Sequence, residues 1–438
     1  MADYDLIIIG GGPAGMTAGL YAARANMKAV LFEQKGLGGE LLNTDLIEDW
    51  PGEESITGRD LTEKMEKHAE KFGLHVEING VKQVWSEGDR KVVELEDGTR
   101  HTAYAVIVSV GGEPIKLNVP GEQEYHGRGV SYCAVCDGAF FKGVDLAVIG
   151  GGDSAFQEGL FLTRFAKKLY VVHRRDEFRA QNILKDRLLG MDKVEAVTPA
   201  TVKRIGGDAD VKWIELERDG KAERLPVEGV FIFIGFKPVG RFLFQREHIE
   251  HDQNDYLITD QYMRTSIDGV YAVGDTRAQL AKQITTAVGD ATTAVLHAER
   301  YIEGLKHAEK AFPSAPREEM PHVAEKMEPV RAMAGQTIIR EGESSDAFFI
   351  VVHGRLGVYQ TVDGEERQVN TLGKGDFFGE IGLLSGQPRV ATVRAIEPSE
   401  VLRLDRSAFQ ELVSSSSATR DQLSAVADER LARVASRR

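Results

Sequence analysis

Asp5-Leu-Ile-Ile-Ile-Gly-Gly-Gly-Pro-Ala-Gly15 opens the chain with an apolar run and a cluster of glycines. Leu6 to Ile9 form an apolar run that reads as a buried strand, and the glycines after it read as a tight turn into a helix. Gly10, Gly12 and Gly15 fit G-x-G-x-x-G. Gly10 allows the turn, Gly12 lets backbone approach a pyrophosphate, and Gly15 lets the helix lie close to the strand. Pro13 and Ala14 complete the loop, and the helix predicted over 16–26 offers its first N–H groups to phosphate oxygens. A second strand over 29–33 ends at Glu33, followed by Gln34, where a carboxylate can accept from both ribose hydroxyls. Strand, helix, strand and terminal acid together favour a dinucleotide site over a plain glycine turn.

A second unit of the same kind opens after the strand Leu146–Ile149, with Gly150, Gly152, Asp153, Ser154 and Ala155. Alanine is permitted in the last glycine position. Its second strand, 168–172, ends in His173-Arg174-Arg175. His173 stands at the offset from Gly150 that Glu33 has from Gly10, so the acid that selects an unphosphorylated ribose is missing. Arg174, Arg175 and, four residues on, Arg179 can clamp a 2′-phosphate. The first site therefore prefers a free ribose and the second NADPH. Between the two loops lies Cys133-Ala-Val-Cys136-Asp137, holding the only two cysteines of 438 residues. A dithiol pair between two dinucleotide sites suggests electron relay from a nicotinamide through a flavin to a disulfide. A zinc site would need a second ligand pair, which is not visible.

Gly39, Glu40 and Leu41, and then Asp49-Trp-Pro-Gly52, read as loops that can close over a cofactor ring. A helix is expected over 58–72 and short antiparallel strands over 75–108, ending at Gly111. Strands over 200–225 form a meander. Val270–Val273 is a strand ending in Gly274-Asp275, with a helix predicted over 283–304. Asp275 is either a ligand of ribityl hydroxyls or a helix cap.

The chain is 42% hydrophobic and 28% charged, with a net charge of −14, which argues against nonspecific nucleic-acid binding. The first strand begins at once, with no basic n-region or cleavage site, and no apolar run approaches a membrane span. A cytoplasmic protein without membrane contact is expected.

Residues 311–321 carry Pro313, Pro316 and Pro321 among polar neighbours and read as a linker. Beyond it, short strands with turns at His353-Gly354, Asp363-Gly364 and Lys374-Gly375 suggest a jelly-roll barrel. Two closing helices follow, over 409–413 and 419–434. Leu423, Val426, Leu431 and Val434 share a face of the second, with arginines gathered at its end. Gly379, Glu380, Arg389, Val390 and Ala391 lie in a stretch that reads as an anion cradle. In an apolar barrel Glu380 and Arg389 need either each other or a ligand.

The two glycine loops with the Cys133–Asp137 segment, the Trp50-Pro51-Gly52 loop, His173–Ala180 and Gly274-Asp275 closely resemble the low-molecular-weight thioredoxin reductases over residues 1 to about 310. The resemblance implies two Rossmann-like α/β domains, one inserted in the other: FAD at 1–115 and 246–310, NADPH at 116–245. It implies that Cys136 faces the flavin, that Cys133 meets the disulfide of a thioredoxin-like partner, and that Asp137 is the acid/base group. A domain rotation between half-reactions and a homodimer are also implied. Glu40 and Asp49 stand where the family usually has Gln and Asn. Lys282-Gln283-Ile284 replaces Arg-Gln-Ala, and Ser109-Val110-Gly111 replaces Ala-Thr-Gly. Residues 322–438 resemble the cyclic-nucleotide-binding domains. That resemblance gives Glu380 the ribose 2′-OH and Arg389 the cyclic phosphate, and Val390, where cGMP-selective members often carry Thr, favours cAMP. No helix-turn-helix follows, so no DNA reader is expected. The expected activity is NADPH-dependent reduction of thioredoxin, with cyclic nucleotide as a possible effector. The rival expectation is a redox and nucleotide sensor that signals to a partner.

Overall fold

The computed structural model describes residues 2–435 except 45, 219 and 363, with side chains to residue 432. β1 (Tyr4–Ile9) runs through the glycine turn into α1 (Pro13–Arg24) and back as β2 (Ala29–Glu33). α2 (Gly58–Glu70) starts at Thr57, whose hydroxyl accepts from Asp60 N–H as an N-cap. β3 (His75–Ile78), β4 (Val81–Glu87), β5 (Arg90–Leu95) and β6 (Arg100–Val108) follow. β3 departs from the expected antiparallel set: it pairs parallel with β2. The α2 crossover returns the chain in the direction of β2, so only β4, β5 and β6 form antiparallel pairs.

β7 (Gly112–Pro114) leaves this unit. The second unit holds β8 (Val130–Ser131), α3 (Ala134–Asp137), β9 (Asp145–Gly150), α4 (Asp153–Leu162), β10 (Lys168–Val172), α5 (Asn182–Leu189) and β11 (Val194–Val197). A meander of β12 (Thr201–Gly207), β13 (Val211–Arg218) and β14 (Lys221–Pro226) leads to β15 (Gly229–Phe233). The parallel sheet has the order β11-β10-β9-β15-β8. β16 (Phe236–Pro238) then pairs antiparallel with β7, so the outgoing and returning chain form a narrow ribbon.

β17 (Val270–Ala272) returns to the first sheet beside β6, completing seven strands in the order β3-β2-β1-β6-β5-β4 with β17 on β6. α6 (Ile284–Ala311) runs on past the predicted end at 304. Gly304 does not stop it. A Cβ there would lie 3.3 Å from the carbonyl oxygen of Ala324, so this glycine admits α7 (Met320–Glu325) against α6.

Residues 311–321 are therefore not the open linker that their prolines suggested. Phe312 is 1% exposed, its ring 5.1 Å from that of Phe348, and Met320 and Pro321 are buried. Apolar side chains spaced among the polar ones draw the segment onto the core.

The third unit comprises β18 (Glu328–Ala332), β19 (Thr337–Ile339), β20 (Ala347–His353), β21 (Leu356–Val362), β22 (Glu365–Leu372), β23 (Phe377–Phe378), α8 (Glu380–Ser385), β24 (Thr392–Ala395) and β25 (Ser399–Asp405). Sheets β18-β25-β20-β23 and β19-β24-β21-β22 face each other across Ile339, Phe349, Val351, Leu356, Val393 and Val401. α9 (Arg406–Ser415) and α10 (Ser417–Ala435) close it. Asp363, Val434 as a packing side chain, and the terminal arginines lie outside the described residues. The architecture is two Rossmann-type units, one interrupting the other, followed by an all-β jelly roll with terminal helices. No helix among the described residues is long and apolar enough to cross a membrane.

Candidate functional site

Cys133 and Cys136 form a disulfide at the start of α3. Both sulfurs lie against the short turn Gly39–Asn43 of the other α/β unit: Asn43 Oδ1 is 3.2 Å from Cys133 Sγ and 3.7 Å from Cys136 Sγ. Cys133 is half-buried and Cys136 exposed. The Cys136 N–H points at Cys133 Sγ from 3.1 Å. Asp137 ends α3, one residue from Cys136. Asn43 was not among the residues singled out from the sequence.

The same turn carries Gly39, Glu40 and Leu41 toward the first glycine loop. Gly38 N–H donates to Gly11 O at 2.9 Å, and a Cβ on Gly39 would sit 3.3 Å from Gly12 Cα. Gly10 has φ +102, and a Cβ on Gly15 would lie 1.8 Å from Gly10 O, so only glycine lets α1 approach β1 this closely. Nothing stands within 4 Å of a Cβ on Gly12, which leaves that side of the loop open. Pro13 and Ala14 open α1. Glu33 holds the loop from inside, accepting from Gly11 N–H at 2.6 Å and Lys35 N–H at 2.9 Å. Gln34 turns outward to Glu96, and Asp49 is exposed near the Ile47–Ile56 bridge, with no hydrogen bond among the described residues drawing it inward.

Asp275 approaches from β17. It does not cap α6: Gln283 does, in a reciprocal capping box with Thr286, directly before Ile284. Asp275 instead lies on a short turn, Gly274–Thr276, fixed by Asp290 accepting from Gly274 N–H and by Thr276 Oγ1 accepting from Gly111 N–H. Lys282 donates to the carbonyls of Asp275 and Arg277 and lies 3.9 Å from the Tyr256 ring centroid. Glu40 and Asp275 are exposed as residues although protein surrounds their carboxyls on most sides, which describes a recess. That enclosure pushes both carboxyls above the usual range. Asn43 and Lys282 respectively work against the rise.

In the second unit Gly150 turns β9 into α4. A Cβ there would meet Phe233 O at 2.3 Å and Ala155 Cβ at 2.7 Å, whereas Gly152 is open. Asp153 accepts from Gln181 backbone and side-chain N–H groups, and Ser154 is exposed beside it. Arg179 N–H donates to Gly151 O at 2.7 Å, so the basic segment folds back onto the glycine turn. Arg174, Arg175 and Arg179 are exposed, and no ion pair engages them among the described residues. His173 is buried against Gly151 with Nε2 unpartnered. Burial first, then the three guanidinium charges, holds its pKa down.

The third unit holds a cavity of about 470 Å³ lined by Ile339, Gln360, Glu380, Arg389, Ala391 and Arg430, among others. Gly379, at φ +93, starts α8. The expected choice for Glu380 and Arg389 has another solution. Arg389 donates to Asp346 at 3.0 Å and to the carbonyls of Ala347 and Gly379, with Nε buried and unpartnered. Glu380, 1% exposed, accepts from Arg430 of α10 at 2.8 Å. Burial raises the Glu380 carboxyl, and Arg430 opposes the rise. Val390 lines the cavity and its carbonyl accepts from Gln360 Nε2 at 3.1 Å. Asp346 and Arg430 are further residues that the sequence reading did not identify.

With this geometry in view, the chain can be compared with known proteins. Residues 4–291 match the family model described as pyridine nucleotide-disulphide oxidoreductase, and residues 329–416 match the cyclic nucleotide-binding domain. A thioredoxin reductase of Listeria innocua is 45% identical over 312 residues, 70% of this chain and 97% of that protein. A thioredoxin reductase of Bacillus subtilis is 44% identical over 313 residues, 98% of its length. The structure of Lactococcus lactis thioredoxin reductase in its FR conformation aligns with a TM-score of 0.67 at 40% identity, covering 68% of this chain and 99% of that one. Thioredoxin reductase from T. acidophilum aligns with a TM-score of 0.64 at 29% identity, covering 68% of this chain and 97% of its own.

Proposed function

The chain belongs to the pyridine nucleotide-disulphide oxidoreductases, with a cyclic nucleotide-binding domain appended, and from that premise we propose that it is an NADPH-dependent thioredoxin-disulfide reductase. The observation that carries the reading is the Cys133–Cys136 disulfide lying against Asn43, on the turn whose Gly39 faces Gly12. A redox pair and a dinucleotide loop then share one recess.

The family implies FAD and NADPH, and the residues fit both. Open Gly12, glycine-only Gly10 and Gly15, and the recessed Asp275 suit FAD in a domain formed by 1–115 and 246–310. Open Gly152, the unpartnered Nε2 of His173 and three arginines without ion pairs suit NADPH in a domain formed by 116–245. When bound, FAD supplies two-electron transfer between the nicotinamide and the disulfide. The chain supplies the rest. Gly12 and Gly152 seat pyrophosphates, Arg174, Arg175 and Arg179 hold the 2′-phosphate, and Asp137 moves a proton at the sulfurs. Phe140, 83% exposed four residues past Cys136, offers apolar contact to a thioredoxin-like partner. The dithiol and the Gly150 loop belong to one unit, so the disulfide and a nicotinamide reach the recess in turn by rotation about the β7–β16 ribbon. A homodimer and a cytoplasmic setting, where NADPH and thioredoxin meet, complete the reading.

For the third unit the reading is cyclic nucleotide binding, with Arg389 on the phosphate, Glu380 on the ribose and cAMP preferred because Val390 offers no hydroxyl to guanine. Occupancy then regulates the reductase.

The test is NADPH oxidation coupled to thioredoxin reduction. Wild type turns over, and Cys133→Ser and Cys136→Ser each abolish thioredoxin reduction while retaining yellow colour. Full activity in either serine variant would refute the proposal.

A further inference from the structure

We propose that Asn43 is a further catalytic residue: its Oδ1 accepts the S–H of reduced Cys133 and keeps the proton on that sulfur while the dithiol lies against the Gly39–Asn43 turn. The inference rests on the disulfide-reductase reading.

The orientation of the amide follows from its other partner. Asn43 Nδ2 donates to Glu40 Oε2 at 3.0 Å. An ionised Glu40 only accepts, so the NH₂ faces Glu40 and the oxygen faces the sulfurs. That oxygen is nearer Cys133 Sγ, at 3.2 Å, than Cys136 Sγ, at 3.7 Å. An oxygen lone pair at that distance favours a thiol and disfavours a thiolate.

Reduction of the S–S bond adds two electrons and, to leave one thiol and one thiolate, one proton. NADPH is the electron source. The contact with Oδ1 puts the proton on Cys133 Sγ and leaves the negative charge on Cys136 Sγ. A second contact acts in the opposite sense. The Cys136 N–H directed at Cys133 Sγ from 3.1 Å stabilises a thiolate there and moves with the cysteines, since Cys136 lies in α3 and Cys133 caps its start. Asn43 belongs to the other unit. Separation of α3 from the turn removes the oxygen but keeps the N–H, so Cys133 becomes a better nucleophile on leaving the recess. The device restrains Cys133 until a partner can be met.

Other groups around the pair are few. Asp137 lies on α3 itself. Glu40 lies behind Asn43, with Asp275 and Lys35 acting on it. α4, packed behind α3, meets Gly138 with Leu162 and Phe161. Asn43 is the neutral group in direct contact with both sulfurs.

The test measures alkylation of Cys133 by iodoacetamide in anaerobic, NADPH-reduced holoenzyme, quantified by peptide mass spectrometry against pH. Asn43→Ala is expected to lower the Cys133 midpoint by about one pH unit, giving roughly tenfold faster alkylation on the acidic side of both midpoints. Asn43→Asp, which places a negative charge at the same distance, is expected to raise the midpoint. Opposite shifts support the proposal. Unchanged midpoints, or shifts of the same sign in both variants, overturn it. Wild-type thioredoxin turnover is measured in parallel. Its absence overturns the reductase reading, whereas the same midpoints taken after reduction by dithiothreitol, removed before alkylation, report on Asn43 without NADPH.

Discussion

At the scale of single residues, coenzyme choice is a matter of charge at the end of β10. His173 occupies the position where Glu33 stands in the first unit, and Arg174, Arg175 and Arg179 are exposed around it, without ion pairs among the described residues. A lost charge-assisted hydrogen bond is worth ~1.5–3 kcal/mol, or roughly 10- to 150-fold. Arg175→Ala should therefore raise KM for NADPH by about that factor, with KM for NADH and kcat little changed. Steady-state kinetics with both coenzymes check this, and an unaltered NADPH KM rejects the clamp. The residues of the two glycine turns were legible because strand, turn and helix place their groups within a few positions of one another. Asn43, Asp346 and Arg430 were not. They reach Cys133, Arg389 and Glu380 across 90, 43 and 50 residues, and no local pattern reports such pairings.

Among the elements, α6 extends past its predicted end at 304. Its 28 residues span about 42 Å at ~1.5 Å per residue, from Gln283 beside the recess to Phe312 beneath the barrel. Gly304 looked like a terminus because glycine weakens helices, yet here it serves a close crossing of α7. The β7–β16 ribbon was missed for a related reason: strands of three residues containing Gly112, Pro114 and Pro238 have no side-chain alternation to read. The middle of α6 carries a pH response. His297 is held at about 4, below its usual 6.5, first by burial and then by Arg264, with Tyr271 hydroxyl 2.9 Å from Nδ1. The unfolded chain binds the proton more tightly than the folded one. This contribution to stability is thus intact above pH 6.5, declines as pH falls toward 4, and stays lost below. His297→Gln should show a shallower fall of Tm over that window than wild type. Parallel Tm-against-pH curves, measured by calorimetry, would remove His297 from the account.

At the scale of the whole molecule, the barrel and the reductase share a core. Phe312, Met320 and Val323 pack with Phe348, Phe409, Leu412 and Leu423, and Arg264–Glu325 and Lys326–Glu411 pairs frame the contact. α10 touches both ends of this arrangement. Its Gln422 donates to Ala311 O at the end of α6, and its Arg430 occupies Glu380 in the cavity. A ribose that takes Glu380 competes with Arg430 for the carboxylate, and a displaced Arg430 would loosen the helix anchored on α6. Linkage makes any such coupling reciprocal: if cAMP alters coenzyme affinity, the coenzyme alters cAMP affinity by the same factor, with ~1–3 kcal/mol giving roughly 5- to 150-fold. The expected result is a cAMP Kd that differs by at least fivefold with and without saturating NADP⁺, by isothermal titration calorimetry on the full chain. Arg430→Ala, which frees Glu380 without ligand, should tighten cAMP binding and shrink that ratio toward one. A Kd for cAMP that ignores NADP⁺ would leave the barrel without linkage to coenzyme binding, however extensive the shared core.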